Sequence, residues 1–401
     1  MKQPILDPRL YFLGELTELA TPRLVVFKKQ VEENVRRMRS YLEAIVPGSG
    51  FGHLTPHAKT HKSSWVTRKL MDEGVTKFKC TFNELDALLE TGVRELLVAY
   101  PPLAADAVRI ARCARQYPGA NVCAQIGCLA HARFLVAAAR QYAVEIPCFL
   151  DLDVGNRRTG GSLEKLLDLM KRISRDSEFS PLRICGLHAY DGHNHSSDPE
   201  ERRKCASECM ERVARCWQAL QVIGFPGERI VVSGTPPFEE DLRELSSRPH
   251  LNATVEVSPG TWIYWDTKYD SILPGKFEFA ALVLAQVMDV PADDLVTLNL
   301  GYKRWAIDQG PVERFSVPGL EFVSASEEHT VLRRGPDAPR LDVGDRLLLA
   351  PRHVCATVNL WESFVLMGSE RTCPAGTPRR SGCPARAWRS LSRYVDRAGG
   401  G

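Results

Sequence analysis

A lysine at the end of an apolar run is the first residue in this sequence whose type and position suggest chemistry. Residues 55–63 read TPHAKTHKS, which places Lys59 and Lys62 beside two histidines. LTPHAK (54–59) resembles a strand and the residues after it resemble a helix, so Lys59 is predicted to end a strand, whereas Lys62 is a solvated residue of the first helical turn. The alternative is a basic surface loop, since lysine side chains are mostly exposed.

Two glycine-containing loops are candidates for an anion site. SGTPP (233–237) contains Gly234 and Thr235, SPGTW (258–262) contains Gly260, and each loop follows a strand-like run. Glycine lets backbone N–H groups approach an oxyanion closely. A reactive lysine near such a cradle suggests pyridoxal phosphate (PLP) as cofactor, because its aldehyde bonds to an amine and its phosphate requires an anion site.

Two further loops place polar side chains at or after the ends of strand candidates. DVGNRRTGG (153–161) contains Arg158, and HAYDGHNH (188–195) contains Tyr190 and three histidines. Such positions are candidates for a site if the strands are parallel. The alternatives are a surface charge for Arg158 and a core tyrosine for Tyr190.

PRHVCATVN (351–359) suggests a metal site. His353 and Cys355 are two residues apart on a segment that looks like a β-strand, so their side chains would share one face. Imidazole and thiolate are natural ligands of Zn²⁺. Two protein ligands would leave positions open for substrate, where the ion can act as a Lewis acid. The alternative is a buried cysteine beside an ordinary histidine.

The elements that must position these residues alternate between strand and helix. Nine strand candidates between residues 20 and 260 compete for the eight places of an α/β fold of the (β/α)₈ TIM-like barrel type. We leave out the first, RLVVF (23–27), so that LTPHAK becomes the first barrel strand. The candidate residues then fall at the C-terminal ends of barrel strands, where such barrels carry their active sites.

The domain organisation follows from this alternation and from its end. Residues 276–367 contain β-rich runs without a long helix, which predicts a C-terminal, mainly antiparallel β domain. We predict an N-terminal segment that pairs with the β domain (1–28), a PLP-binding barrel (29–262), the β domain with the metal pair (263–367) and a disordered basic tail (368–401).

Composition excludes several classes of protein. The net charge is +3 over 401 residues and is concentrated in the Arg-rich tail, so nucleic acid is not an expected partner. The longest apolar runs are too short for a membrane span, and MKQPILDPRLYFLGEL lacks the apolar stretch of a signal peptide. Twelve scattered cysteines without a CxxC pair indicate a reducing, cytoplasmic location.

Together these stretches resemble the D-threonine aldolase/D-serine dehydratase family, fold type III PLP enzymes with an alanine racemase-like barrel. PHAKTHK resembles the Schiff-base motif of the family, with Lys59 as its lysine, and DVGNRRTG resembles a stretch that places Arg158 near the cofactor ring. GLHAYDGH puts Tyr190 at a cofactor-contacting position. SGTPP and EVSPGTW resemble the phosphate-binding loops, which implies that Gly234, Thr235 and Gly260 lie near the phosphate.

The motif at the predicted metal site differs between members of the family, and in this chain it consists of His353 and Cys355. Members with aldolase activity tend to show H-x-D, suited to Mn²⁺ or Mg²⁺, whereas D-serine dehydratases show H-x-C and use zinc. His353 and Cys355 therefore imply a dehydratase that converts a small D-amino acid, D-serine or 3-hydroxy-D-aspartate, into a 2-oxo acid and ammonia. The alternatives are an aldolase that forms glycine and an aldehyde, and a non-catalytic PLP-binding protein. The resemblance also implies a homodimer.

Overall fold

The computed structural model describes residues 6–7, 10–11, 16, 19–310, 314–368 and 384–386. The strands are β1 (Arg23–Phe27), β2 (Lys77–Cys80), β3 (Glu95–Val98), β4 (Asn121–Ile126), β5 (Ile146–Leu152), β6 (Leu182–Ala189), β7 (Arg229–Val232), β8 (Thr254–Val257), β9 (Ala281–Ala292), β10 (Leu295–Leu298), β11 (Arg314–Phe315), β12 (Leu320–Ala325), β13 (Thr330–Arg334), β14 (Arg346–Ala350), β15 (Ser363–Met367) and β16 (Pro384–Arg386).

The α-helices are α1 (Lys28–Ile45), α2 (Ser64–Asp72), α3 (Phe82–Thr91), α4 (Ala104–Gln116), α5 (Leu129–Tyr142), α6 (Leu163–Arg175), α7 (Pro199–Val222), α8 (Phe238–Ser246), α9 (Thr267–Ile272) and α10 (Val354–Asn359). Short 3₁₀ helices span Ser177–Phe179, Pro249–Leu251 and Thr261–Ile263. None of the described helices is long and apolar enough to cross a bilayer.

The chain divides into two compact units, which we call the barrel domain (residues 39–59 and 64–260) and the β domain (described residues up to 38, residues 60–63, and described residues from 261 onward). In the barrel domain β2 to β8 pair in chain order, and every pair is parallel. The predicted α/β barrel with a second, mainly antiparallel domain is confirmed.

The first barrel strand is shorter than predicted. Residues 54–59 form two isolated parallel bridges, from Leu54 to Val257 in β8 and from His57 to Lys79 in β2. The segment therefore lies between β8 and β2 and is the eighth member that closes the ring of seven strands. The chain already turns at Ala58, and Lys59 lies in that turn. The prediction of a strand through Lys59 is therefore wrong in its last residues. Pro56, which has no N–H, limits the ladder.

Local sequence explains where the helices begin and end. Thr81 and Glu84 form a capping box at the start of α3, and Gly92 ends that helix at φ 107°, a conformation that favours glycine. Asp198 accepts a hydrogen bond from the N–H of Glu200, and Pro199 occupies the first position of α7, which needs no N–H. These caps fix the lengths of the loops that follow β2 and β6.

A charged cluster lies inside the barrel, around Glu256 in β8. Its fully buried carboxylate accepts hydrogen bonds from Arg229 (both 2.9 Å), from Lys77 (2.7 Å) and from the hydroxyl of Thr55. Burial alone would raise the pKa of Glu256, but Arg229 and Lys77 outweigh it and lower that pKa. The cluster ties β2, β7 and β8 to the closing segment.

The β domain is built on one curled sheet in the order β12-β13-β10-β9-β1-β15-β16, with β14 pairing β9 and β11. β1 lies inside this sheet, antiparallel to β9 and parallel to β15. β16 pairs antiparallel with β15. The rest of the predicted basic tail, beyond residue 368, lies outside the described residues.

Candidate active site

A cavity of about 540 Å³ lies at the C-terminal ends of the barrel strands. Three of the predicted residues, Lys59, Arg158 and Tyr190, line it together. The other residues that line it are His57, Lys79, Thr81, Ala99, Tyr100, Pro101, Leu103, Gln125, His131, Thr159 and His188. Residues far apart in sequence thus converge where parallel strands end, as expected for a barrel.

The turn at Lys59 is held by backbone hydrogen bonds on both sides. The N–H of His57 donates to the Pro259 carbonyl (3.1 Å), and the N–H of Ala58 donates to the Lys79 carbonyl (2.8 Å). The N–H of Lys59 itself donates to Nδ1 of His57 (3.4 Å). The backbone of the lysine is therefore anchored between β2 and the segment after β8, while its side chain reaches the cavity.

Arg158 lies over the ring of Tyr190, with 4.8 Å from its guanidinium carbon to the ring centroid. This distance is typical of a cation–π contact. The loop before Arg158 is shaped by Asp153, whose Oδ1 accepts hydrogen bonds from the N–H groups of Gly155 (2.9 Å) and Arg157 (3.0 Å). Gly192 is also required here, because a Cβ at this position would lie 2.2 Å from the Tyr190 ring.

The predicted anion loops do not line the cavity, but they pack behind it. Gly234 lies against Tyr190, since a Cβ there would be 3.4 Å from the ring, and its N–H donates to Asp191 (3.1 Å). The N–H of Gly260 donates to the hydroxyl of Thr235 (3.1 Å), which joins the two loops. These two N–H groups therefore have protein acceptors.

Lys79 in β2 is a site residue that sequence reasoning missed. Its ammonium group is buried, donates to Ser258 Oγ (2.8 Å) and lies 5.4 Å from the centroid of the Tyr190 ring. Burial, and to a lesser extent the nearby charge of Lys59, lowers the pKa of Lys79 from 10.5 to about 7. The available signal was a lysine inside the strand KFKC, two residues after another lysine.

Gln125 was also missed, and His188 was noted only as one of the three histidines of HAYDGHNH. Nδ1 of His188 bonds to the buried carboxylate of Asp151 (2.8 Å), and because a carboxylate only accepts, Nδ1 carries the proton and Nε2 keeps its lone pair. Burial and then Lys79 lower the pKa of His188 and keep the ring neutral. Nε2 of His188 and Oε1 of Gln125 are buried without a hydrogen-bond partner among the described residues.

In the β domain, His353 and Cys355 are brought together, but not by a strand. The prediction of a β-like segment at 351–359 is wrong, since α10 begins at Val354 with His353 as its N-cap residue. The N–H of Val354 donates to the buried carboxylate of Asp266 (3.1 Å), a remote cap that starts the helix. The first helical turn nevertheless leaves the imidazole and the thiol in hydrogen-bond contact.

Groups around the pair orient it. Nδ1 of His353 bonds to Oδ2 of Asp308 (2.7 Å), which sequence reasoning did not single out. The hydroxyls of Thr60 and Thr261 lie 3.1 and 3.6 Å from Sγ of Cys355. The thiol of Cys355, and to a lesser extent Asp308, raise the pKa of His353 to about 9 against the effect of burial. Nε2 is thus the ring nitrogen left for a ligand.

Comparisons with known proteins identify the family of the chain. Residues 27–267 match the family model "Alanine racemase, N-terminal domain", and residues 280–367 match "Putative serine dehydratase domain". The chain is 28% identical to a D-threonine aldolase of Arthrobacter sp. over 362 residues, 88% of this chain and 90% of the relative. It is 24% identical to the D-threo-3-hydroxyaspartate dehydratase of Delftia sp. (strain HT23) over 369 residues, 85% and 92% of the two chains.

A solved structure gives the same fold. The D-threonine aldolase from Filomicrobium marinum superposes with a TM-score of 0.80 at 24% identity, covering 94% of this chain and 97% of that one. The family model of the barrel matches more than half of the chain. The resemblance predicted from the motifs is thereby confirmed, and the chain belongs to the D-threonine aldolase/D-serine dehydratase family of fold type III PLP enzymes.

Proposed function

We propose that this protein is a PLP- and zinc-dependent dehydratase that removes water from a D-β-hydroxy-amino acid, D-serine or 3-hydroxy-D-aspartate, and releases ammonia and a 2-oxo acid. The observation that carries this proposal is the contact between His353 and Cys355, with Asp308 on the other ring nitrogen. A soft thiolate favours zinc over Mn²⁺ or Mg²⁺. Expulsion of a β-hydroxyl is chemistry that a Lewis acid promotes.

The cavity fits PLP in its charge and its polar groups. Three cations, Lys59, Lys79 and Arg158, line it and match an anionic ligand. The unpartnered Nε2 of His188 and Oε1 of Gln125 match the polar edge of a bound ring, since buried polar atoms normally have partners. We assign Lys59 as the residue that bonds the cofactor aldehyde. Arg158 and Tyr190 seat the ring.

The anion loops complete the cofactor assignment. Gly234 lies behind Tyr190, and the hydrogen bond from Gly260 to Thr235 holds the loops after β7 and β8 together. Loops at these two places are where barrels often hold a phosphate. We therefore assign Gly234, Thr235 and Gly260 to the phosphate end of the cofactor site.

The metal pair fits zinc by its donor atoms. Nδ1 of His353 is occupied by Asp308, an arrangement that commonly orients a zinc-bound imidazole through its other nitrogen. Cys355 supplies a thiolate when a metal displaces its proton. The hydroxyl of Thr60 lies 3.1 Å from Sγ of Cys355 and helps to orient that sulfur.

When bound, PLP withdraws electrons from the substrate Cα and zinc polarises its β-hydroxyl. The residues of the chain then move and hold protons. The amine of Lys59 takes the proton from Cα. The neutral imidazole of His188, fixed by Asp151, offers a hydrogen-bond acceptor without adding charge. The buried ammonium of Lys79, hydrogen-bonded to Ser258, places a titratable cation beside Tyr190.

Retro-aldol cleavage to glycine and an aldehyde is the second candidate. The observation that favours it is the greater identity to the Arthrobacter D-threonine aldolase (28%) than to the Delftia dehydratase (24%). On this alternative a base removes the proton of the β-hydroxyl, and Cα–Cβ cleavage replaces loss of oxygen. The metal ligands then decide between the products. Cys355→Asp should shift the product ratio toward glycine.

The test is product analysis with the PLP-loaded protein. D-serine and 3-hydroxy-D-aspartate should yield ammonia and 2-oxo acid, a chelator should abolish the release, and added zinc should restore it. His195→Ala, in the loop after β6 and outside both sites, is a matched control that should keep this response. Glycine from D-threonine without ammonia from either D-serine or 3-hydroxy-D-aspartate would refute the dehydratase in favour of the aldolase. No turnover with any of these substrates, despite bound PLP, would refute both.

A further inference from the structure

A second cluster of metal-ligating side chains lies away from His353 and Cys355, in the barrel domain. The ligand atoms of His193, Cys205 and Cys209 all lie within 4.8 Å of one another. Cys205 and Cys209 are four residues apart in α7, so their thiols project from one face of the helix. His193 reaches this face from the loop after β6, with Nε2 at 3.6 Å from Sγ of Cys209.

The geometry points to a second zinc site, and we propose that His193, Cys205 and Cys209 bind one Zn²⁺ ion, with the fourth position left to a water molecule. Two thiolates and one neutral imidazole form a common zinc ligand set. Two thiolate charges also cancel the charge of the ion, so the site adds no net charge to a partly buried position.

The donor groups of the cluster are oriented toward one another. Nε2 of His193 contacts Sγ of Cys209, whereas Nδ1 is buried without a hydrogen-bond partner among the described residues, so Nε2 is the nitrogen that would bind the ion. Cys205 and Cys209 are free cysteines, and a bound cation deprotonates a coordinating thiol outright.

The backbone on the opposite side of the cluster leaves room for His193. Sγ of Cys209 also contacts the Val154 carbonyl (3.5 Å). At Gly155 a Cβ would lie 3.4 Å from Nε2 of His193 and 2.7 Å from Arg212, and the φ of 123° independently favours glycine. The loop after β5, the loop after β6 and α7 therefore meet at the proposed ion.

The site has a structural role in this arrangement. Tyr190 lies three residues before His193 in the same loop, and Arg158 lies three residues after Gly155. Zinc at the cluster would fix the loop after β6 to α7 and thereby hold Tyr190, on whose ring Arg158 is stacked. This inference concerns metal content and loop order, and it does not depend on which reaction the protein catalyses.

The experiment measures zinc per chain in purified protein that has been stripped and reloaded, by elemental analysis. The His353→Ala variant removes the other candidate site, so it should retain one zinc per chain. Adding Cys205→Ser and Cys209→Ser should reduce this to none. Cys216→Ser is the matched control, because it removes a buried thiol of the same helix outside the cluster. It should leave the zinc in place.

Cobalt provides a second readout that does not rely on loss of binding. In the His353→Ala background, Co²⁺ bound by two thiolates should give sulfur-to-metal charge-transfer absorption. The additional Cys205→Ser substitution should lower this absorption by about half. Circular dichroism checks that the fold of the variant is intact. A His353→Ala protein that holds no metal, or zinc that survives loss of both cysteines, would overturn the proposal. If the His353→Ala protein binds no zinc while the parent binds one zinc per chain, the result would support the site at His353 and Cys355 and overturn only the proposed site at His193, Cys205 and Cys209.

Discussion

Replacing Lys79 with methionine should make the cofactor-free protein more stable and its cofactor binding weaker. Lys79 is buried, and its ammonium group has one hydroxyl partner, Ser258, at 2.8 Å. Methionine keeps most of the side-chain volume and removes the charge. The substitution therefore separates the cost of burying an amine from the benefit that a cation provides to an anionic ligand.

The magnitude follows from the pKa. Burial lowers the pKa of Lys79 from 10.5 to about 7, and each unit corresponds to about 1.4 kcal/mol, so the folded state is penalised by about 5 kcal/mol at low pH. The folded chain loses this proton first as pH rises. Between pH 7 and pH 10.5 the unfolded chain binds more protons, so stability rises with pH, by about 1.4 kcal/mol per unit. Below pH 7 the penalty is constant.

The assay is denaturant unfolding of the cofactor-free parent, Lys79→Met and Lys171→Met, at several pH values from 6 to 9.5. Lys171 is an exposed lysine of α6 and serves as the matched control. The advantage of Lys79→Met should be largest at pH 6–7 and shrink steadily above it, whereas the control should follow the parent. PLP affinity, measured by absorbance, should fall at least tenfold in Lys79→Met alone.

A difference in stability that does not change with pH would refute this reasoning. It would mean that interactions in the folded state offset the whole cost of burying the ammonium charge of Lys79, so that Lys79 has the same pKa as in the unfolded chain. Unchanged PLP affinity would separately refute its assignment to the cofactor site.

Three further predictions concern the buried cluster around Glu256 and the packing of Tyr190. Glu256→Gln should lower the free energy of unfolding by about 3–5 kcal/mol, because it leaves Arg229 and Lys77 without their buried partner. Glu145→Gln removes an exposed ion pair and should cost less than about 1 kcal/mol. Denaturant unfolding at pH 7 compares the two variants, and equal effects would contradict the role of the cluster. The lowered pKa of Glu256 means that its contribution is present above about pH 4.3 and is lost as pH falls through the folded pKa, which the same assay tests. Gly192→Ala should displace Tyr190 and weaken PLP binding about tenfold or more. Gly234→Ala, whose added Cβ would lie 3.4 Å from the Tyr190 ring, should change PLP binding much less. A PLP titration in which Gly234→Ala has the larger effect would contradict this packing.

The barrel could be predicted because its strands are short apolar runs separated by amphipathic helices. The predicted runs KFKC and NVCAQI coincide with β2 and β4 to the residue. The polar residues inside these strands were passed over, since alternation of apolar residues says nothing about a single lysine or glutamine among them. Lys79, Gln125 and His188 face the cavity because strands aim alternate residues inward. A polar residue near the C-terminal end of a barrel strand is therefore the signal to search for.

The local structure at the metal pair could not be predicted, because its cause lies elsewhere in the chain. VCATVN is rich in β-branched residues, which favour strands. The helix is started by the carboxylate of Asp266, 88 residues away in sequence, which accepts from the N–H of Val354. Asp308, which binds His353, is likewise remote. The spacing of two residues was sufficient to predict that His353 and Cys355 come together, since both a strand and a first helical turn allow it, and their role as metal ligands stays a proposal.

The place of β1 has a consequence for synthesis of the chain. Val25 pairs with Val365, about 340 residues later, and Leu24 pairs with Val283 in β9. At ribosomal rates of about 5–20 residues per second, β15 is synthesised on the order of 20–70 s after the apolar residues of RLVVF, which until then lack this neighbouring strand. All of the barrel residues are made during this interval. Of the strands that the structure describes, the first to be synthesised is thus among the last to be enclosed, and until then it needs protection from other unpaired strands.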